Sequence, residues 1–527
     1  MVVNSLSLQE DYLDSFTLEE LDIEFLYNHL METETPLTSQ ELVSILVIER
    51  LRRERQAIED ERVSGGDIYL PKERYALDQR LVFPALGWRR GQVVGLRSGS
   101  NPDCGNFEVI QVAFENGERR EYAAALENHA LNDPVSQVQD DISYDPQTVL
   151  EVYEETLIET LDLGLESHTD FVRIAGRWFP RALLVDINLG HLNLAEAVLD
   201  MAGGGPLPTS AILEQIELPA NVNPKLLEFS LDLALQEDQR FDEVGPSGIV
   251  LWFLRRLEPE AVLEPPIYLR YPGMEYDRDR LSDEMLALER ELDDELSPLE
   301  GKYSHHNEAD INLIFAHWRA GTLPLTSLIR HLFPTAYEAP RIRFTLVDGE
   351  SGERVPAWVV RNKRYVYGLK DWYAKRGLQP GSIIRVARGK KTGEVILHSD
   401  VRRPSREWVR TVLVGSDGGV VFAMLKQIVQ SRYNERMVIA VPDVEALEQV
   451  WVQSGRDQAQ LERTVVNMVR ELSKLNPQGH VHAIELYAAI NVIRRCPPGP
   501  ILAVLASRPW FVHVGDLHFR LTEAERA

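Results

Sequence analysis

Cysteine is almost absent from this chain of 527 residues. The two that occur, Cys104 and Cys496, lie 392 positions apart, and no Cys-x-x-Cys pair is present. This pattern argues against a disulfide framework and against a thiolate zinc site. It is typical of a protein from a reducing cytoplasm.

Long hydrophobic runs are missing as well. No stretch approaches the roughly 20 apolar residues that a membrane-spanning helix needs. The first five residues, Met-Val-Val-Asn-Ser, show neither the charged leader nor the apolar core of a secretory signal. We therefore expect a cytoplasmic protein without a membrane partner.

Sequence signatures of catalysis are also lacking. Residues 415–419 follow a predicted strand and precede a predicted helix at 420–430, as a nucleotide-binding loop would, but they lack the Gly-Lys-Ser/Thr that grips phosphate. Histidines cluster within residues 305–317 and at His480 and His482, without the His-Glu-x-x-His spacing of a zinc site. We expect no enzymatic activity, no cofactor and no bound metal.

A positively charged stretch stands out against an acidic background. The chain has a formal net charge of −26, whereas residues 341–410 hold 17 Lys and Arg against 7 Asp and Glu, a local balance of +10. The remainder therefore carries −36. A positive island of this size indicates an anionic partner.

The positive stretch has the pattern of a small β-domain. Apolar and polar residues alternate through 342–346, the period of a half-buried strand, and residues 348–352 supply a turn. Further strands are predicted at 357–360, 365–367, 383–386 and 395–397, with a short helix within 368–377. A basic barrel over residues 341–408 follows, with Tyr365 and Trp372 in its core.

Two runs within this stretch resemble a known family. The run Tyr-Gly-Leu-Lys-Asp-Trp-Tyr at 367–373 and the run Leu-Gln-Pro-Gly-Ser at 378–382 are similar to the signature of the DNA-binding pseudobarrel of plant auxin-response-type transcription factors. In that family a Leu, a Trp and a Leu-x-x-Gly-Asp motif pack a short helix against an open barrel. Here Ser382 stands where the family favours Asp. The resemblance implies that the basic turns at 361–364 and 388–391 face a DNA groove.

We predict duplex DNA as the partner of this barrel. The expected contacts are eight basic residues: Arg361, Lys363, Arg364, Arg388, Lys390, Lys391, Arg402 and Arg403. Lys and Arg bind a duplex by neutralising phosphates, which makes the affinity depend on salt. The alternative is a basic rim that is only solvated or that docks on acidic segments of the chain itself.

The remaining sequence predicts an α+β chain of several domains. These are a winged helix at 15–80, a small SH3- or Tudor-like β-barrel at 81–132, an acidic helical connector at 133–190, a second winged helix at 191–258, an acidic linker at 259–300, a helical lead-in at 301–340, an α/β connector at 409–455 and a C-terminal winged helix at 456–527. The small barrel carries Trp88, Phe107 and Tyr122, which serve either core packing or an aromatic binding face.

Repeats support the three winged-helix modules. The surroundings of Phe241 recur 270 positions later around Phe511, and Pro-Leu-Thr-Ser occurs at both 36–39 and 324–327. The order of a helix, a Pro-Leu break, further helices and a hairpin led by Phe resembles the HARE-type winged helices of bacterial transcription and chromatin proteins. That resemblance implies a partner in the transcription machinery. We expect Phe241 and Phe511 at equivalent core positions.

A winged helix reads DNA with its third helix, which needs positive charge there. In the second module this helix carries four acidic residues, among them Glu228 and Asp232, so protein binding is favoured. Arg494, Arg495, Arg508 and Arg520, with little acid nearby, make the C-terminal module the best of the three for DNA.

Together these patterns predict a non-enzymatic protein that binds DNA through its basic barrel and other proteins through acidic winged helices. One alternative is an acidic scaffold for protein–protein interactions without DNA binding. A second is a subunit of a DNA-processing enzyme. A concave basic face on the barrel would favour DNA, and a basic face covered by residues 275–300 would favour the scaffold.

Overall fold

The computed structural model describes residues 16–63, 66–83, 86, 89–101, 105–114, 117–127, 129–132, 146–216, 222–299, 306–389, 391, 393–416, 418–453 and 458–522. The chain is α+β and divides into two compact units, with the boundary at about residue 184. Within the described ranges, no helix combines the length and the apolar character needed to cross a bilayer.

The first unit contains a small three-stranded sheet, a five-stranded sheet and helices packed on the former. Its described helices are α1 (Glu20–Thr33), α2 (Ser39–Val63) and α3 (Pro146–Glu166). Its described strands are β1 (Leu37–Thr38), β2 (Asp67–Ile68), β3 (Arg80–Phe83), β4 (Arg89–Asn101), β5 (Gly105–Phe114), β6 (Arg119–Ala124), β7 (Phe171–Ile174) and β8 (Arg177–Pro180).

The five-stranded sheet interrupts a helical module. We predicted that the first winged helix ends at residue 80, but β2 and β3 pair with each other, and β3 pairs with β4 of the sheet that continues to β5 and β6. The hairpin β7–β8 pairs with β1 instead. The sheet from β2 to β6 is therefore an insertion between α2 and α3. In it Tyr122 packs on the core and Phe107 covers Gly99, while Trp88 lies outside the described residues.

The second unit contains the remaining modules and the basic barrel. Its described helices are α4 (Leu189–Met201), α5 (Thr209–Leu213), α6 (Pro224–Glu237), α7 (Glu260–Leu263), α8 (Asp283–Leu292), α9 (Phe315–Ala320), α10 (Lys370–Arg376), α11 (Val444–Gln453), α12 (Gln458–Ser473), α13 (Ala483–Ile493) and α14 (Pro498–Ser507). Its described strands are β9 (Leu207–Pro208), β10 (Phe241–Glu243), β11 (Leu251–Leu254), β12 (Glu308–Asn312), β13 (Thr322–Pro324), β14 (Arg341–Asp348), β15 (Arg354–Val360), β16 (Tyr365–Tyr367), β17 (Ile383–Arg388), β18 (Glu394–His398), β19 (Val401–Val414), β20 (Val420–Ser431), β21 (Val481–His482), β22 (Phe511–Gly515) and β23 (His518–Leu521).

Three modules share one order of elements: a helix, a short strand, two helices and a hairpin. They are α1-β1-α2-α3-β7-β8, α4-β9-α5-α6-β10-β11 and α12-β21-α13-α14-β22-β23. In each sheet the third strand lies between the first and the second. Phe241 and Phe511 each begin the second strand, are buried and pair with Leu254 and Leu521. The prediction of equivalent core positions is confirmed.

The first two modules also share a buried hydrogen-bonded triad. In the first, the Trp178 indole N–H lies 3.1 Å from Ser39 Oγ and 3.0 Å from Asp162 Oδ1, and the Ser39 hydroxyl donates to the same carboxylate. Each member has the same structural place as in the second module: the first residue of the second helix, the third helix and the third strand. The triad fixes the third helix to the hairpin.

The second triad has the same geometry with a different electrostatic setting. Trp252 donates to Thr209 Oγ1 at 3.1 Å and to Asp232 Oδ1 at 2.8 Å, and Thr209 donates to Asp232. Asp162 of the first triad also pairs with Arg173 at 3.1 Å, whereas burial raises the pKa of Asp232 to about 7. Asp232 points into the module, so it does not contribute the phosphate repulsion that we expected from it.

The basic barrel is a curled half-barrel of seven strands in the order β12-β17-β18-β14-β15-β16-β13. Its two outer strands lie within residues 301–340, which we predicted to be a helical lead-in. Among residues 306–340, which the structure describes, only α9 and one 3₁₀ turn are helical, and the first strand of the barrel begins at Glu308. Tyr365 and Trp372 are 1% and 6% exposed, as expected of core residues.

Residues 401–431 form a long hairpin of β19 and β20. The helix predicted at 420–430 is wrong, and the loop at 415–419 joins two strands. The run Val-Val-Phe-Ala-Met-Leu is apolar enough for a buried helix or a strand, and its pairing with β19 selects the strand.

The acidic stretch 259–300 is part of the core, although we predicted a linker. Val262, Met285 and Leu288 are buried with residues of the C-terminal module. Glu289 is fully buried and pairs with Arg278 at 2.6 Å. The apolar positions between the acidic residues give the helix of this stretch, α8, one buried face.

The second triad predicts a pH-dependent weakness of its module. Because the folded pKa of Asp232 lies above its unfolded value, the folded state binds more protons between about pH 4 and pH 7, and stability falls as pH rises through that window. Asp232→Asn keeps the acceptor oxygen and should remove up to about 1.4 kcal/mol of this fall per pH unit. Amide hydrogen exchange of α6 at pH 5 and pH 8, corrected for the intrinsic rate, measures it.

Asp162→Asn is the matched control, because that carboxylate has Arg173 as its counter-ion. It should weaken protection of α3 at both pH values and leave α6 unchanged. An α6 whose protection has the same pH dependence with and without Asp232→Asn would refute the assignment.

Candidate nucleic-acid interface

Strand register brings the two predicted basic turns to one end of the half-barrel. β14 begins with Arg341 opposite Val360, the last residue of β15. β14 also runs parallel to β18, which begins opposite Thr345. The β15–β16 turn at 361–364 and the β17–β18 turn at 389–393 therefore lie at the same end of the sheet, near the start of β14.

The first turn holds its guanidinium groups through backbone carbonyls. Arg361 Nη1 donates to the carbonyl of Ala339 at 2.8 Å, and Arg364 Nη1 donates to that of Glu295 at 3.0 Å. Arg364 has φ 55°, a left-handed conformation that costs an arginine about 1–2 kcal/mol. Lys363, between them, is exposed. These contacts orient the arginines without consuming their charge.

The second turn is built in the same way. Arg388 Nη2 donates to the carbonyl of His331 at 3.1 Å. A Cβ on Gly389 would lie 2.5 Å from the carbonyl oxygen of Glu394, so only glycine allows this close return of the chain. Lys391 is exposed, and Lys390 lies outside the described residues.

Three adjoining clefts connect the two turns. The first, of about 510 Å³, lies beside Lys363 and shares Arg364 with the second, of about 430 Å³. The second shares Phe333 with the third, of about 380 Å³, which reaches Arg388. We call these three clefts together the basic groove; the cations that line it are Arg270, Arg330, Arg361, Lys363, Arg364, Arg388 and Lys391.

The five described cations of the two turns have no carboxylate at ion-pair distance among the residues that the structure describes. Exposed arginines elsewhere do pair, for example Arg97 with Glu121 at 2.5 Å and Arg385 with Asp310 at 2.9 Å. Cations held by carbonyls rather than carboxylates keep their full charge for an incoming anion.

An acidic segment borders the groove but turns its carboxylates inward. Asp293 accepts hydrogen bonds from the backbone N–H groups of residues 327–328 at 3.2 and 2.8 Å. Asp294 and Glu295 accept from the buried guanidinium of Arg495 at 2.6 and 2.7 Å. The segment therefore meets the groove mainly through its backbone, and the groove stays open.

His317 is a further partner of these inward-facing carboxylates. Its Nε2 lies 3.0 Å from Glu295 Oε1, and its Nδ1 lies 2.9 Å from Thr322 Oγ1. Burial alone would raise the pKa of Glu295, but Arg495 and His317 lower it below its usual range. The carboxylate is thus ionised and neutralised inside the protein, away from the groove.

Arg402 and Arg403 lie at the other end of the half-barrel. β18 starts beside the groove at Glu394 and ends at His398, four residues or roughly 13 Å away along the strand. Arg402 and Arg403 follow His398 in β19, so they lie beyond that end of β18. Of the eight predicted contacts, the structure brings five to the groove and leaves these two apart from it.

Arg494 and Arg495 are buried, at 6% and 2% exposure, so these two of the four arginines are closed to DNA, whereas Arg520 is exposed and Arg508 pairs with Glu462 at 2.8 Å. The third helix of this module, α14, is buried from Pro498 to Leu505. A signal for the burial of Arg494 and Arg495, though not for their partners, was available, since both arginines lie within the mostly apolar run from 486 to 505.

Sequence reasoning missed the residues between the two turns. Arg330, His331 and Phe333 line the groove, but they lie in a segment that we predicted as helical lead-in. Arg330 and His331 stand ten residues before the basic stretch, so a wider charge window would have included them.

A second cluster of polar side chains lies on the C-terminal module. His482 of β21 is directly opposite His518 of β23, and the ring centroids of His480 and His518 are 4.7 Å apart. Ligand atoms of His482, Asp516 and His518 lie within 4.8 Å of one another, which suits a metal ion in distance alone.

The contacts of His482 oppose metal binding. Its Nδ1 accepts the backbone N–H of Ile484 at 3.1 Å and so caps α13, and its Nε2 lies 2.9 Å from Arg436 Nη1. Burial and the Arg436 charge lower the pKa of His482 to about 4. His482 is thus a helix cap. In the other group His317 is structural, and His305 lies outside the described residues.

Comparison of the chain with models of known protein families finds no match. Comparison with characterised proteins finds none, and comparison with solved structures finds none either.

We expect the purified full-length protein to hold no stoichiometric zinc. An ion at His482 would sit beside the Arg436 guanidinium and would cost the cap of α13. Elemental analysis after dialysis measures the content. One zinc per chain that is lost in His518→Ala but kept in the control His513→Ala would contradict this expectation.

Proposed function

We propose that this protein binds duplex DNA in the basic groove. The observation that carries the proposal is the convergence of two turns, separated in sequence, on one concave face with five cations that lack carboxylate partners among the described residues. A concave basic face was the property that distinguishes DNA binding from a scaffold. The inward-turned carboxylates of Asp294 and Glu295 keep this face positive.

The five cations suit contacts to phosphate. Arg361, Arg364 and Arg388 have part of each guanidinium fixed on a carbonyl, so the remaining donors are pre-oriented and less entropy is lost on binding. Lys363 and Lys391 add mobile point charges. Contacts of this kind position a duplex without reading its sequence.

The open seven-stranded half-barrel, with α10 held through Trp372, supports the resemblance to the auxin-response-type pseudobarrel. The resemblance implies that the basic turns of this chain face the DNA. Ser382 stands where the family favours Asp. It is fully buried and its hydroxyl is hydrogen-bonded to that of Ser431, so this difference from the family lies in the barrel core and not in the groove.

We further propose that the three repeated modules are winged helices that bind protein, with the transcription machinery as the class of partner. Their third helices support this. α3 exposes Glu151, Glu155 and Glu159, which phosphate would repel, and α14 is too deeply buried to enter a DNA groove. The five-stranded insertion stays a prediction of an SH3- or Tudor-like barrel.

Removal of single groove cations tests the DNA proposal. In the full chain, Arg364→Gln, Arg388→Gln and Lys391→Gln should each weaken binding to mixed-sequence duplex and lower the slope of log affinity against log salt by about one. Fluorescence anisotropy over a series of salt concentrations measures both. The full chain is needed because residues 341–410 alone lack β12 and β13 of the seven-stranded sheet.

Lys375→Gln is the matched control. Lys375 lies on the same half-barrel, is 58% exposed and pairs with Glu353, so its loss should leave the salt slope unchanged. If the full chain shows no salt-dependent binding at low salt, or if the control variant matches the groove variants, the DNA proposal fails and an acidic protein becomes the partner to test.

A further inference from the structure

β19 and β20 form a two-stranded ribbon that lies outside the basic groove. Its base is held at Ser431, which is buried against the half-barrel, and its tip packs through Val412 and Phe422 into the main core of the second unit. Between base and tip, most side chains of residues 405–408 and 424–428 are exposed on both faces. The ribbon is thus fixed at two points with an open middle.

One face of this open middle carries a large exposed aromatic ring. Trp408 is 62% exposed, and Ile428 on the paired strand is 59% exposed. Lys426 lies directly opposite Trp408, with its Nζ 5.4 Å from the indole centroid. A tryptophan this exposed is unusual in a folded protein and marks a binding surface.

The ribbon is also strongly basic. Its two strands contain five cations and one acidic residue, Glu407, a balance of +4. Arg410 pairs with Glu485, whereas the other four have no carboxylate at ion-pair distance within the described part of the chain. Those four are Arg402, Arg403, Arg406 and Lys426.

We propose that this ribbon binds single-stranded nucleic acid, with a base stacked on Trp408 and the neighbouring phosphates on these four cations. Cations alone would serve a duplex equally well, but an exposed ring gains a stacking partner only from an unpaired base. An indole beside an apolar residue and several cations is the combination that single-strand binders use. The site does not depend on the basic groove.

Two other occupants fit less well. A second copy of the chain could pair along the free edge of β20, but two ribbons of +4 each would repel one another. An acidic peptide would satisfy the cations and leave the indole without a use.

Replacement of Trp408 in the full chain tests the proposal. Trp408→Ala should weaken binding of a labelled oligo-dT strand about fivefold or more, because stacking on one aromatic ring is worth about 1–3 kcal/mol per base. Trp408→Phe should retain most of the affinity, and binding of a mixed-sequence duplex should be unchanged. Val452→Ala, at another exposed apolar residue, is the control for surface truncation. Unchanged thermal unfolding shows that the variants fold.

The outcomes separate this proposal from the basic-groove proposal. If Arg364→Gln loses duplex binding and keeps single-strand binding, the two sites are independent. If the unmodified chain binds single strands but no duplex, the groove proposal fails and the ribbon proposal stands. The ribbon proposal is overturned if oligo-dT is not bound at low salt, or if Trp408→Ala weakens single strand and duplex equally. It is also overturned if the variant changes only self-association or the binding of poly-glutamate.

Discussion

The ion pair between Arg495 and the carboxylates of Asp294 and Glu295 is the contact on which the basic groove depends. All three groups are buried, and an unpaired charge at such a site costs several kcal/mol, so the pairing holds the acidic segment in one orientation. His317 and Tyr487 complete the set. The guanidinium of Arg495 thereby joins the acidic segment to the C-terminal module, and His317 joins Glu295 to the half-barrel. The pairing also withdraws negative charge from the wall that faces Arg361 and Arg364.

The acidic surface of the remaining chain and the positive charge of the basic groove act differently on an approaching polyanion. Charges separated by more than about 8–10 Å are largely screened at physiological ionic strength. A polyanion that approaches an acidic helix such as α3 therefore meets repulsion at contact, and one that approaches the groove or the ribbon meets attraction. The net charge of −26 does not oppose binding at the basic surfaces; it restricts where a polyanion can bind.

Local patterns in the sequence predicted those strands and turns whose formation depends on residues close together in the chain. Alternation identified β14, the glycine-containing turns identified the ends of β17 and β18, and the Phe241–Phe511 repeat identified equivalent strands. Contacts between distant residues were missed. The Trp triad spans 139 residues from Ser39 to Trp178 but only 43 from Thr209 to Trp252, because a five-stranded sheet is inserted in the first copy. The neutralisation of Asp294 by Arg495, 201 residues away, has no sequence signal of its own.

The insertion between α2 and α3 also delays the synthesis of the elements that pack on α2. The third helix and the hairpin that cover α2 are made only after the whole inserted sheet. At translation rates of about 5–20 residues per second, the ribosome needs roughly 7–28 s to pass from Ser39 to Trp178. During that interval Leu42 and Leu46, both fully or almost fully buried in the finished module, lack those of their final neighbours that lie on the third helix and the hairpin. The core of the first module can therefore be completed only after the whole inserted sheet has been synthesised.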